Sequence, residues 1–529
     1  MVVARHFGTL ALIAVGVFAL VSDLRPSVSG NAGLIRGPYA YLLASSTDLG
    51  PSHRPDTQLT VALREATRPD ALYGWANDNG LGVRWRPGEE WAVVEGAAEK
   101  VAKAFDVEVH DYRGQQGQVF YASPQQPATP DALRGEVAEF GRILGYTPHH
   151  TSRPSILPLD VPDRGLTPAG VLTTYNVNKL AAEGNTGKGQ TIVFFAFDGF
   201  EQADLHTFAI TYALPKFVPD VVGGKPEEAR GETTMDLEVA HAVAPDARKV
   251  VWNARPTVEG DGGYEKIGRM LEDADRQYPG AVWSFSIGWG CDKLITAADL
   301  APVRSALRTA HSHGTTAFNA SGDLAGLECK GGDDWSSPPG ASDVGLDSVA
   351  SLPEMVDVGG TTLSTDANGV WQAEQAWFDV PLSQGTGGGV SSLFDRPDWQ
   401  RAVMTDKEPT RRLTPDVAAV ADPFTGVRIV LDQQQLVGGG TSQSAPLWAG
   451  LAAVMNQYLI ANSGRALGDL NPLLYRTAQG APLPGFRDVV LGGNAVDDAT
   501  PGYDLVTGLG TPDIDNLVRN LLIVQRATR

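Results

Sequence analysis

A chain of 529 residues is too long for one ordinary domain, and 42% hydrophobic with 20% charged residues describes a globular protein with a substantial core. A net charge of −20 argues against a nucleic-acid binder, which needs a basic face; it also means less self-repulsion as pH falls and carboxylates take up protons. The only two cysteines, Cys291 and Cys329, leave open one disulfide or two free thiols.

In chain order, Arg5 and His6 precede an apolar run from Phe7 to Val21. That run is short for a membrane span and suits a secretory signal. Residues 1–30 are therefore read as a signal peptide, or as an uncleaved anchor since no A-x-A site follows, and the chain is expected outside the cell. Residues 31–146 read as a small α+β domain. Strands are predicted over 57–64, 107–112 and 118–122, and helices over 69–77, 96–105 and 129–144. Its His, Asp and Glu residues are scattered and read as solvated surface. Residues 147–168 carry Pro148, Pro154, Pro158, Pro162 and Pro168, the composition of a linker with a processing site.

From 169 to 529 the pattern changes. Strands over 191–197, 249–253, 281–287 and 316–319 alternate with helices over 232–243 (expected to be amphipathic), 264–277 and 301–312. Such alternation predicts an α/β domain, with a mainly parallel sheet flanked by helices and its ligand site at the carboxyl ends of the strands.

The chemistry centres on Gly439-Gly440-Thr441-Ser442. This stretch brings a serine to the start of a helix predicted over 442–460, beside backbone N–H groups that have no helical partner. A hydroxyl there suits attack on a carbonyl; the bland alternative is a capped helix start with glycines for the turn. The serine needs a base. His313 follows a predicted helix, with Gly314 as its stop signal, and reads as a capping or surface residue, although an Asp198/His313/Ser442 triad is an alternative. Glu232 and Asp236 stand four apart on one helix face, in a segment made largely apolar by Met235, Leu237, Val239 and Ala240. Two like charges so placed share a proton, and Glu232 then serves as base in acid. Asp323, directly after a strand in Asn319-Ala320-Ser321-Gly322-Asp323, can donate a hydrogen bond to a developing oxyanion when protonated.

This set resembles the sedolisin family of serine-carboxyl peptidases. The family's Ser-Gly-Thr-Ser-x-Ser-x-Pro is met by Gly439-Gly440-Thr441-Ser442-Gln443-Ser444-Ala445-Pro446, with Gly439 in place of the leading Ser. Its Glu-x-x-x-Asp falls on Glu232 and Asp236, and its oxyanion aspartate on Asp323. Gly387-Gly388-Gly389-Val390-Ser391, Pro397-Asp398-Trp399-Gln400 and Pro415-Asp416-Val417-Ala418-Ala419 match as well. The resemblance implies a subtilisin-like catalytic domain over 169–529 and a ferredoxin-like activation prodomain over 31–146 that inhibits it intramolecularly. It further implies a monomeric, secreted, acid-acting serine-carboxyl peptidase that cleaves peptides or proteins, as endopeptidase or tripeptidyl peptidase. A scaffold that has lost activity is the non-enzymatic alternative. Phe486-Arg487-Asp488-Val489 and Pro501-Gly502-Tyr503-Asp504 are similar to the family's calcium loop. By that likeness one Ca²⁺ is held by the carboxylates of Asp488 and Asp504 and the carbonyls of Val489, Thr500 (often Gly in the family) and Gly502, an oxygen set suited to a hard cation. Ser284-Phe285-Ser286-Ile287-Gly288 resembles the strand beside the family's cleft, where an extended substrate could pair; Trp283 and Trp289 are candidates for shaping subsites or for packing.

Overall fold

Apolar runs such as Ile192-Val193-Phe194-Phe195 have no polar face to offer water, and they end in strands buried on both sides. A computed structural model describes residues 33–149, 157–158, 165–227, 230–330, 340–380, 384–401, 403 and 410–527. In it Thr191–Ala196 lies between Arg248–Asn253 and Val282–Phe285, all parallel. The sheet continues through Thr316–Ala320 to Val356–Thr365, and ends at Asp220–Val222 on the other side. Val356–Thr365 also takes Val417–Val420 in parallel and Trp371–Ala376 antiparallel. The two-residue period of a strand divides the core. Ile192, Phe194 and Phe318 face the helices Glu232–Val243 and Thr441–Ala461, while Val193, Phe195 and Trp283 face Gly263–Gln277 and Ala301–Ser312. This is the α/β architecture that the alternation predicts. One detail differs: Glu232–Val243 is not amphipathic but buried almost all round, because the equally buried helix Thr441–Ala461 packs along it.

In the N-terminal domain, Gly82–Arg84, Trp91–Gly96, Thr57–Leu63 and Val137–Phe140 form one antiparallel sheet in that order, with helices Asp70–Asp78 and Ala98–Phe105 on its core. That chain order and strand order make a βαββαβ, ferredoxin-like fold. The helix predicted over 129–144 is absent. A short 3₁₀ turn, Asp131–Leu133, leads into the strand Val137–Phe140, which pairs with Thr57–Leu63 and buries Val137 and Phe140. Sheet pairing and burial here outweigh local helix propensity, as they commonly do.

This domain docks on the helices Gly263–Gln277 and Ala301–Ser312, the face of the sheet opposite Ser442. Arg84 grips Glu265 at 2.6 and 2.8 Å, Arg86 holds Glu272 at 2.7 and 2.8 Å, and Arg308 reaches Glu90 at 2.8 Å. Arg269 bonds Glu89 and lies over the Trp91 ring. Both carboxylate oxygens of Asp299 accept from the Arg142 N–H at 3.1 Å. The chain then turns toward the other end of the sheet, where the His149 ring meets that of Phe197 edge-on at 5.9 Å. Backbone 157–158 pairs with the strand Gln434–Val437, which runs directly into the Gly438–Gly440 turn. Residues 1–30 and most of the linker 147–168, including its proposed processing site, lie outside the described residues. Cys291 and Cys329 form a disulfide.

Candidate active site

The Gly438–Gly440 run is required by its surroundings. Gly440 has φ 85°, and a Cβ on it would come within 2.7 Å of Asp323 Oδ2. A Cβ on Gly439 would meet the Pro423 backbone at 2.7 Å, so the packing of Pro423 accounts for glycine where the family signature has serine. The turn therefore passes close to neighbouring backbone and starts the helix Thr441–Ala461 with Ser442 in its first turn. Ser442 is almost fully buried.

Asp323 follows the strand Thr316–Ala320 and reaches this helix start. Its Oδ1 accepts from the Thr441 N–H at 2.8 Å and from Thr441 Oγ1 at 2.7 Å, which turns Oδ2 toward Gly440. Burial raises its pKa above the usual carboxylate range, against the pull of the Thr441 bonds. A proton on Oδ2 would then be available to an oxyanion beside Ser442. Glu328, buried beneath this loop, accepts from the Leu324 N–H at 3.1 Å; it too is pushed well up, by burial and then by Asp347. Nothing in Leu-Glu-Cys distinguishes it in sequence from a solvated loop acid.

Glu232 opens the helix Glu232–Val243, and Asp236 lies one turn on. Both Glu232 carboxyl oxygens are out of solvent, and among the described residues neither has a protein hydrogen bond of standard geometry, although the nearby Ser442 hydroxyl favours the ionised form. Burial first, then Asp236, Asp198 and Asp323, push the Glu232 pKa well above the ordinary range. Asp236 is likewise raised by burial, against a hydrogen bond from Ser286. Ser286 Oγ stands 2.9 Å from Asp236 Oδ1 and 3.0 Å from the Ser442 carbonyl oxygen. One hydroxyl proton cannot serve both acceptors. A proton on Asp236 Oδ1, donated to Ser286 Oγ, lets Ser286 donate onward to the Ser442 carbonyl and satisfies all three. The geometry thus favours a neutral Asp236 behind an ionisable Glu232, and all four groups gather at the carboxyl ends of the parallel strands.

Comparison with known proteins finds a family-model match and several relatives. Residues 62–139 match the model of the Pro-kumamolisin activation domain. Kumamolisin from Bacillus sp. (strain MN-32) is 33% identical over 381 residues, 67% of this chain and 63% of the relative. The match thus covers just under two thirds of that relative's length. Sedolisin from Pseudomonas sp. (strain 101) is 26% identical over 450 residues, 80% of this chain and 73% of the relative. The solved structure of Pseudomonas sedolisin complexed with two molecules of pseudo-iodotyrostatin superposes with a TM-score of 0.57 at 26% identity, covering 67% of this chain and 97% of that one. These likenesses support placement in the sedolisin family.

The remaining sequence expectations divide cleanly. The triad alternative is wrong. Asp198 is bound to the N-terminus of the Glu232 helix, while half-exposed His313 caps the helix Ala301–Ser312 and bonds Asp275 at 2.7 Å. His241 lies on the Glu232 helix but is bonded to the Pro215 carbonyl and to Lys249; burial, then Lys249, depress it to about 3. Trp283 and Trp289 are fully buried core residues, not subsite walls. The strand Val282–Phe285 is paired on both sides, so a substrate cannot add to its edge; only the segment past its carboxyl end, from Ser286, reaches the site. Trp399, Gln400 and Asp416 carry structure rather than chemistry. Arg412 binds Asp416 at 2.8 and 2.6 Å, the Tyr475 hydroxyl adds a third bond at 2.8 Å, and Gln400 reaches that hydroxyl at 2.9 Å under the Trp399 ring.

The loop expected to hold calcium closes on one turn. Asp504 Oδ2 accepts from the Thr500 N–H at 3.0 Å, and Asp488 Oδ2 from the Gly502 N–H at 2.8 Å. Two carboxylates from separate segments thus converge on the 500–502 backbone, and this hard-oxygen donor set fits a divalent cation.

Proposed function

We propose that this chain is a secreted, acid-acting serine-carboxyl endopeptidase made as a zymogen. The observation that carries the reading is the convergence of Ser442, the Glu232–Asp236 pair and Asp323 in one place. In this reading Ser442 Oγ attacks a peptide carbonyl, and Glu232 takes its proton and returns it to the leaving amine. Asp236 orients Glu232 and holds the neighbouring proton. Protonated Asp323 and the Ser442 N–H hold the oxyanion. The N-terminal domain is the intramolecular inhibitor. The apolar run at 7–21 and the Cys291–Cys329 disulfide support export to an oxidising compartment.

Acid action follows from the protons this mechanism needs. Glu232 must have lost its proton, so activity rises with pH through that ionisation; Asp323 must keep its own, so activity falls as pH climbs further. Stability has the same sign on its alkaline side. Burial raises Asp347 to about 7 and Asp299 to about 6. A group raised on folding stabilises fully below its unfolded pKa of about 4 and loses that contribution as pH rises through its folded value. Incubating the full chain near pH 4 with a peptide library is expected to yield cleaved peptides and a new N-terminus within 150–172, with the melting temperature dropping from pH 4 toward pH 7. Removal of three-residue units from substrate N-termini would assign a tripeptidyl peptidase instead, and cleavage fastest above neutrality would overturn the acid mechanism.

Asp488 and Asp504, with the carbonyls of Val489, Thr500 and Gly502, are proposed to hold one Ca²⁺, whose charge would fix the 500–504 turn. Calcium added to chelated protein is expected to raise the melting temperature, as any ligand of the native state does. Asp504→Ala should erase that increment; equal melting of the parent with and without calcium would refute the site.

A further inference from the structure

We propose that Asp198 is a positioning residue for the general base, holding Glu232 in place through the first turn of its helix. The proposal rests on the peptidase reading above. The residue preceding that helix is Gly231, with φ 105° and no side chain to cap the free N–H groups. Asp198, just past the carboxyl end of Thr191–Ala196, supplies the cap from 34 residues away in sequence. Its Oδ2 accepts from the N–H groups of Arg230 at 2.9 Å and Glu232 at 3.2 Å. Its Oδ1 accepts from the Thr233 N–H at 3.0 Å and from Thr233 Oγ1 at 2.5 Å. Gly199 behind it leaves room for the Pro226 carbonyl, which a Cβ would strike.

The backbone nitrogen of the base is therefore tied to a carboxylate just past the end of Thr191–Ala196, which links the strand end to the base. A cavity of about 20 Å³, bordered by Asp198, Glu232, Asp236, Ser286, Phe197 and Ile287, lies between them, with room for a single water. The groups facing Glu232 are Asp236 from its own helix, Asp198 from the strand end, Asp323 from the loop after Thr316–Ala320, Ser442 from the facing helix and Arg230 from the segment before. Burial raises the Asp198 pKa above the ordinary carboxylate range, against the bonds from Thr233, Arg230 and Glu232, so above that raised value Asp198 is an anion beside the base as well as a cap. A purely structural cap would be served nearly as well by asparagine, which keeps an acceptor oxygen. A residue that also sets the base's position and field would not.

The test measures kcat, KM and the pH profile for one peptide substrate in the acid-processed parent, Asp198→Asn and Thr233→Val, with Ser442→Ala as the inactive reference and melting as the folding control. Asp198→Asn is expected to lose about 10²-fold in kcat, the order of a small misplacement of a reacting group, with KM little changed. Its acid limb should move to lower pH, because removing an anion beside Glu232 eases ionisation. Thr233→Val should shift both in the same direction by less. A folded Asp198→Asn with the parent's kcat and pH profile would overturn the proposal. If that variant does not fold, an unchanged kcat and acid limb in Thr233→Val would do so. A parent no more active than Ser442→Ala would instead overturn the peptidase reading itself.

Discussion

Ser442→Ala is expected to lower peptide turnover by about 10⁶-fold, the loss seen when an activated serine nucleophile is removed. The substitution deletes a single hydroxyl at a helix start, and Thr441, not Ser442, makes the bonds to Asp323. Melting should therefore stay near that of the parent, so the loss would report chemistry and not unfolding. Because the variant cannot process itself in this reading, it is to be compared after cleavage in trans, by kcat on a peptide substrate at acid pH. Turnover like the parent's would remove Ser442 from the mechanism, and the scaffold alternative would gain what the peptidase reading lost.

Glu232→Gln should cost about 10⁴-fold or more, because an amide keeps the shape of the carboxyl but cannot accept the serine's proton. The two losses belong to one unit. The Ser442→Ala/Glu232→Gln double variant is expected to be no worse than Ser442→Ala alone, since a base without its nucleophile has no work to do. Burial and the Asp236, Asp198 and Asp323 carboxylates hold Glu232 well above the ordinary range, so the acid limb of the parent's profile reports the Glu232–Asp236 pair and not a lone carboxylate. Residual turnover in Glu232→Gln should have lost that limb. If the limb persisted unchanged, some other group would be the base.

Much of this site is legible in the sequence. The helix Glu232–Val243 has the bounds its pattern predicts, and the i,i+4 spacing of its acids places them one turn apart on it. The turn into Ser442 was legible because glycines there answer a local demand, a positive φ at Gly440 and close backbone on either side. The segment 129–144 was misread because its outcome is not local: Val137 and Phe140 gain more from the edge of Thr57–Leu63 than from a helix of their own. Ser284 and Phe285 are not the edge that the reading of 284–288 expects, because strand order cannot be seen from one strand's residues. In sequence Asp198 stands out only as a member of a triad the fold does not build; its partners, the N–H groups of Arg230, Glu232 and Thr233, are backbone atoms that no side-chain pattern reveals.

The sequence by itself determined the groups that handle protons and their order along the chain, because residue identity and short spacing are local properties. Only the tertiary structure decided which of the many acids are stripped of water, that Ser286 stands between Asp236 and the Ser442 carbonyl, and that a strand end holds the base by its backbone. Those outcomes depend on desolvation and on donors contributed by segments far apart in the chain. Neither exists until the sheet has assembled and brought its carboxyl ends together.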